Sequence, residues 1–81
     1  MYHETEVQSN EIIIMQYELS VFDKNNGKII LVRLIAEEEL AIKLYEEQVR
    51  IYHNIPKRVV IKLYDIEKCT NIRYYDTDDN I

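Results

Sequence analysis

From Met15 to Val21 apolar and polar residues alternate: Met15, Tyr17, Leu19 and Val21 fall on one side of an extended chain, and Gln16, Glu18 and Ser20 on the other. Side chains of a strand repeat with a period of two, so the segment Ile12 to Phe22 is predicted to be a half-buried β-strand. The polar stretch Asp23-Lys24-Asn25-Asn26-Gly27-Lys28 follows, and an Ile/Val/Leu-rich run resumes at Ile29. Asn-Gly suits the positive φ values of a tight hairpin turn, which predicts a β-hairpin over residues 12–35. In the returning strand Ile30, Val32 and Leu34 are expected to share the inner face of the first strand.

The period changes over residues 36–54. Leu40, Leu44 and Ile51 fall within about 40° of one another on a helical wheel, flanked by Ala41, Gln48 and Tyr52. Glu39, Lys43, Glu46 and Arg50 take the opposite side, so the segment is predicted to be an amphipathic helix. Glu37, Glu38 and Glu39 complement the macrodipole at its start, and Glu39/Lys43 and Glu46/Arg50 are i,i+4 pairs in the favoured order. Asn54 is suited to a left-handed C-terminal position, and Pro56 cannot continue the helix.

Alternation returns after Pro56, with Val59, Ile61 and Leu63 set against Val60, Lys62 and Tyr64. Asp65 to Asn71 reads as a turn region and Ile72 to Tyr75 as a short closing strand. Leu19-Ser20-Val21-Phe22-Asp23 and Ile61-Lys62-Leu63-Tyr64-Asp65 share one pattern, each ending on an aromatic residue and an aspartate. Two hairpins flanking one helix make an α+β fold of ββαββ type, one four-stranded, mainly antiparallel sheet with a single amphipathic helix on one face. Residues 1–10 are expected to be a flexible arm, 11–76 the domain, and 77–81 an acidic, frayed tail. Strand order is left open.

With one helix, one face of the sheet stays uncovered. Ile14, Phe22, Leu31, Ile35, Val60, Tyr64 and Tyr75 are expected there, more apolar surface than a small monomer usually exposes. A homodimer is the natural outcome, by face packing through Phe22, Leu31, Ile35 and Val60 or by pairing of edge strands.

Composition narrows the class. An 81-residue chain that is 47% hydrophobic has a small core, and the single Cys69 cannot form an internal disulfide. His3 and His53 are the only histidines, too few for a Cys/His zinc set. The longest apolar runs fall far short of the roughly 18 residues that a membrane-spanning helix needs. The chain is therefore expected to be cytoplasmic. Many Ile and Tyr residues, beside few Ala, Gly and Pro, correspond to AT-rich codons, which points to an AT-rich genome such as that of low-GC bacteria, their phages or archaeal viruses; with the small size this suggests a phage, virus or mobile element, and a host cytoplasm if the origin is viral.

The net charge is −5, yet residues 55–75 sum to +3. Arg33, Lys62, Tyr64, Arg73 and Tyr75 are placed together on the outer face, a mixture of cations and aromatics that can hold phosphates and stack bases. The acidic excess suggests the opposite, mimicry of nucleic-acid phosphates by Glu38, Glu39, Glu46, Asp76, Asp78 and Asp79. Asp76-Thr77-Asp78-Asp79-Asn80 opens like a calcium loop but lacks the glycine and the closing glutamate. His53 in the last helical turn suits the dipole, and Cys69 beside Lys68 has no histidine or second cysteine to act with. Ser9 and Ser20 have no base in reach of sequence reasoning, and Gly27 is used by a hairpin. No catalytic, cofactor or metal residue is assigned. The sequence reads as a small non-enzymatic protein-binding module, an accessory or inhibitor protein that dimerises and contacts another protein. The alternative is a nucleic-acid-binding module.

Overall fold

The computed structural model describes residues 14–80. The predicted arm and the first residues of the first predicted strand lie outside them. The elements are β1 (Tyr17–Asp23), β2 (Ile29–Ile35), α1 (Glu38–His53), β3 (Val59–Asp65), β4 (Thr70–Asp76) and a closing 3-10 turn (Thr77–Asn80). The strands form one four-stranded sheet in the order β2-β1-β3-β4 with every neighbouring pair antiparallel, so the architecture is ββαββ. β2 and β3 both run antiparallel to the β1 between them and are thus parallel to each other. Such a pair needs a long crossover, and α1 supplies it across one face.

The alternation in the two central strands sets the core. Tyr17, Leu19 and Val21 of β1 and Val59, Ile61 and Leu63 of β3 are buried beneath Ala41 and Tyr45 of α1, with Ile35 of β2 closing one side. Burying one such aliphatic or aromatic side chain contributes about 1.5–3 kcal/mol. The helical stripe differs from the expected one. Ala41 and Tyr45 face the sheet with Ile42, Leu44, Val49 and Tyr52 half-buried beside them, while Leu40 and Ile51 are exposed. The apolar arc of this helix is broad, and the small Ala41 lets its backbone approach the sheet while Tyr45 reaches across it. Glu37 is extended and provides no side-chain cap, leaving Glu38 and Glu39 to complement the positive end of the dipole. Asn54, at φ −101°, is not left-handed; its side-chain amide instead donates to the Arg50 carbonyl at 3.0 Å.

The first turn is wider than Asn-Gly alone suggests. The Asp23 amide donates to the Lys28 carbonyl at 2.8 Å and the Gly27 amide to the Asp23 carbonyl at 2.9 Å. Gly27 alone takes a positive φ in this turn, +74°. The Asp23 side chain accepts from the Asn25 amide at 2.8 Å, an Asx turn.

Both edge strands carry a bulge one step from their turn. In β2 the register runs Phe22↔Ile29 and then Val21↔Leu31, so Ile30 is extra. In β4 it runs Tyr64↔Asn71 and then Leu63↔Arg73, so Ile72 is extra. One extra residue reverses the face of every side chain beyond it. Leu31, Arg33 and Ile35 therefore lie on the helix side of β2, and Val32 and Leu34 on the uncovered side, opposite to the sequence expectation. In β4 Arg73 and Tyr75 pass to the helix side and Tyr74 to the uncovered side.

The short sequence repeat proves to be a structural one. A single shift takes Tyr17–Asp23 onto Val59–Asp65, the bulge at Val21/Phe22 onto that at Leu63/Tyr64, and Gly27 onto Cys69. The register Ser20↔Lys62 between the central strands makes the two hairpins related by a local two-fold axis through that pair. Cys69, at φ 55°, is the only described non-glycine residue with a positive φ. Adding a Cβ at Gly27 meets nothing within 4 Å, so only backbone strain opposes substitution there. Gly27→Ala should cost about 1–2 kcal/mol, and Cys69→Gly should relieve part of the same strain and gain up to about 1 kcal/mol. Urea midpoints of the two variants measured side by side check this, and a loss in both would contradict the shared geometry.

Candidate interaction surface

The face opposite α1 is built from alternate residues of four strands. Glu18, Ser20 and Phe22 of β1 pair across with Tyr64, Lys62 and Val60 of β3. Val32 and Leu34 extend this face on β2, and Tyr74 and Asp76 on β4. Phe22, Ile29, Ile30, Val32 and Leu34 are exposed and together make one apolar side of the surface, centred on β2. The other side is mixed: Lys62 stands beside Tyr74, with Tyr64 diagonal to that pair.

Of the residues placed on a dimer face by sequence, Phe22 and Val60 are here and are direct cross-strand partners. Leu31 and Ile35 are not; Ile35 is buried under the helix and Leu31 packs against the core. Of the basic and aromatic set, Lys62 and Tyr64 are on the uncovered face. Arg33, Arg73 and Tyr75 are on the helix side, with the two arginines on opposite edge strands. Burial raises the pKa of Tyr45, and the charge of Arg73 partly offsets this. The five residues do not form one patch. Sequence reasoning missed Val32, Leu34 and Tyr74, whose faces were assigned by uninterrupted alternation. The Asp preceding each turn, placed identically in the two repeats, was the signal that the hairpins share a turn and bulge.

Two of the five cations of the basic segment, Lys57 and Arg58, are ion-paired with carboxylates from outside it. The Lys24 ammonium bonds the Asp76 carboxylate at 2.8 Å and that of Asp78 at 2.6 Å, and the Arg58 guanidinium bonds Asp78 at 2.6 Å and 3.1 Å. Lys57 lies 3.0 Å from the Asp23 carboxylate. Hydrogen bonds from Arg58 and Lys24 hold the Asp78 carboxyl far below the usual carboxylate range, and the bond from Lys24 lowers Asp76. The cluster joins the first turn, the start of β3 and the chain after β4. The expected acidic tail is accordingly a 3-10 turn whose Asp78 is ion-paired, and Thr77 accepts from the Val59 amide at 3.0 Å.

The second aspartate is satisfied differently. Burial opposes ionisation of Asp65, but bonds from the Lys68 amide and the Gln16 side chain outweigh it and keep its pKa low. Asp65 and Asp23 are thus buried carboxylates that organise turns. Cys69 is exposed, with its thiol 3.6 Å from the Ile66 carbonyl; the neighbouring Cys69 side chain and burial raise the pKa of Tyr64. His53 is exposed at the end of α1 beside an open depression of about 520 Å³ whose lining includes Tyr52, Arg58, Tyr75 and Asp78. Both the lysine and the arginine that line it are engaged, Lys57 by Asp23 and Arg58 by Asp78. Among the described residues no three His, Cys, Asp or Glu side chains converge as a metal site would require, and no helix is long and apolar enough to cross a membrane. Compared with protein-family models, curated proteins and solved structures, the chain matches none.

Proposed function

We propose that this is a non-enzymatic protein-binding module of the accessory or inhibitor kind, whose uncovered sheet face docks on another protein. The observation that supports this most is the composition of that face, where Phe22, Val32, Leu34 and Val60 are contiguous and the cations Lys62 and Lys24, the latter bonded to Asp76, stand among the carboxylates Glu18 and Asp76. A surface that held nucleic acid would need an excess of cations to replace the counterions of the phosphates. Contiguous apolar and aromatic residues without an excess of one charge are the composition of a protein interface. The aromatic residues Tyr64 and Tyr74 around Lys62 leave the nucleic-acid reading as the one to test against.

The test is affinity capture from the source organism's lysate after nuclease treatment and in high salt, with the chain and with Phe22→Glu/Val60→Thr. A protein held by the chain under both conditions and lost from the variant, with the variant's circular dichroism unchanged, is the expected result. Partners that disappear with nuclease, or a labelled single-stranded RNA bound with a steep salt dependence, would overturn the reading. So would a retained protein indifferent to the two substitutions.

A further inference from the structure

The local two-fold axis supplies an internal comparison. The two edge strands occupy equivalent places in the two hairpins, with the same turn and the same bulge, yet their outward residues differ in kind. At equivalent positions β2 has Ile29, Val32 and Leu34 where β4 has Asn71, Tyr74 and Asp76. The β4 edge is the more polar of the two, although Ile72 matches Ile30, and the chain after it is tied back by Asp76 and Asp78 to Lys24. The β2 edge is exposed along nearly its whole length, with Ile29 at 62%, Val32 at 46% and Leu34 at 54%. The architecture therefore does not demand an apolar edge, since its twin does without one. A long apolar edge strand with unpaired backbone groups is a template for strand addition.

We propose that the β2 edge pairs antiparallel with β2 of a second copy, joining two sheets into one about a two-fold axis at Val32. This deepens the reading of the uncovered face by naming one occupant of its β2 side. An isologous pairing repeats each contact twice and must match helix side with helix side. An axis at Val32 does both: Val32 meets its own copy, and Leu31 meets Arg33 on the helix side. The same axis keeps the two Arg33 side chains from standing opposite each other, as an axis at Arg33 would not. Both helices then lie on one side of the joined sheet, and the apolar halves of the two uncovered faces become continuous. The paired backbones and the Ile29, Ile30, Val32 and Leu34 side chains of both copies would bury roughly 1,000 Å², the lower limit of a specific interface. A weak, concentration-dependent association is expected of an interface that small.

Light scattering after size-exclusion chromatography of the full chain, at about 0.1 mM and again near 1 µM, reads the mass. Twice the 9.8 kDa chain mass is expected at the higher concentration, falling toward one on dilution. Val32→Lys and Val32→Glu should each give a folded monomer, because the axis sets like charges directly opposite each other, and mixing the two should restore the dimer. Tyr74→Lys, at the equivalent place on β4, should leave the dimer intact. A monomeric wild type at 0.1 mM, a dimer insensitive to both Val32 variants, dissociation by Tyr74→Lys, or no recovery on mixing would each overturn the proposal. A monomeric wild type leaves the protein-docking reading standing, because that reading is tested separately through Phe22 and Val60.

Discussion

Deleting Ser20 should unfold the protein, whereas deleting Ile30 should leave it folded, although both residues lie within strands. Ser20 is in the uninterrupted centre of β1, paired with Val32 on one side and Lys62 on the other. Its removal would draw Glu18 into the place of Leu19, opposite Leu63, and push Leu19 to the outer face. Two bonded neighbours hold β1 in register, so neither can slide to repair it. The loss of a buried leucine, which alone costs about 2–5 kcal/mol, is joined by the burial of a carboxylate. A domain of this size has about 4–12 kcal/mol of stability to lose. Ile30 is the extra residue of a bulge; without it Phe22↔Ile29 and Val21↔Leu31 become successive pairs and every side chain from Leu31 to Ile35 keeps its face. A change within about 1 kcal/mol is expected for this deletion. Far-ultraviolet circular dichroism with urea titration separates the outcomes. A folded Ser20 deletion, or an unfolded Ile30 deletion, would refute the register.

Two leucines provide the second large contrast. Leu63 is 0% exposed at the centre of the sheet beneath the helix, and Leu34 is 54% exposed on the uncovered face. Leu63→Ala removes the same atoms as Leu34→Ala but opens a cavity in a close-packed interior. Its expected cost is about 2–5 kcal/mol, a large share of the total stability, against about 1 kcal/mol or less for Leu34→Ala. Urea unfolding at a single dilute concentration gives both values. Comparable losses at the two sites would mean that the uncovered face is as closely packed as the core, which would place a partner over it even in dilute solution.

The face assignments show where a one-dimensional pattern loses information. β1 and β3 have regular pairing on both sides, so their alternation alone identifies Tyr17, Leu19, Val21, Val59, Ile61 and Leu63 as inward. β2 and β4 are edges, free to accept a bulge without disturbing a second neighbour. Their side chains beyond Ile30 and Ile72 are reversed from simple alternation, and this alone moved Leu31, Ile35, Arg33, Arg73 and Tyr75 off the surface predicted for them. β2 concealed the change because it is apolar at almost every position. In α1 the broad apolar arc had the same effect, leaving the buried centre at Ala41 and Tyr45 to be chosen by contact with the sheet.

By itself the sequence determined the order and type of the elements, the strand faces at the centre of the sheet and the Asp-initiated turns, because each depends on neighbours close along the chain. The tertiary structure decided the strand order, the ion pairs of Lys24 and Arg58 with Asp78, and which residues share the uncovered face. These depend on pairings between distant segments, and a single extra residue in an edge strand changes them without altering any local preference.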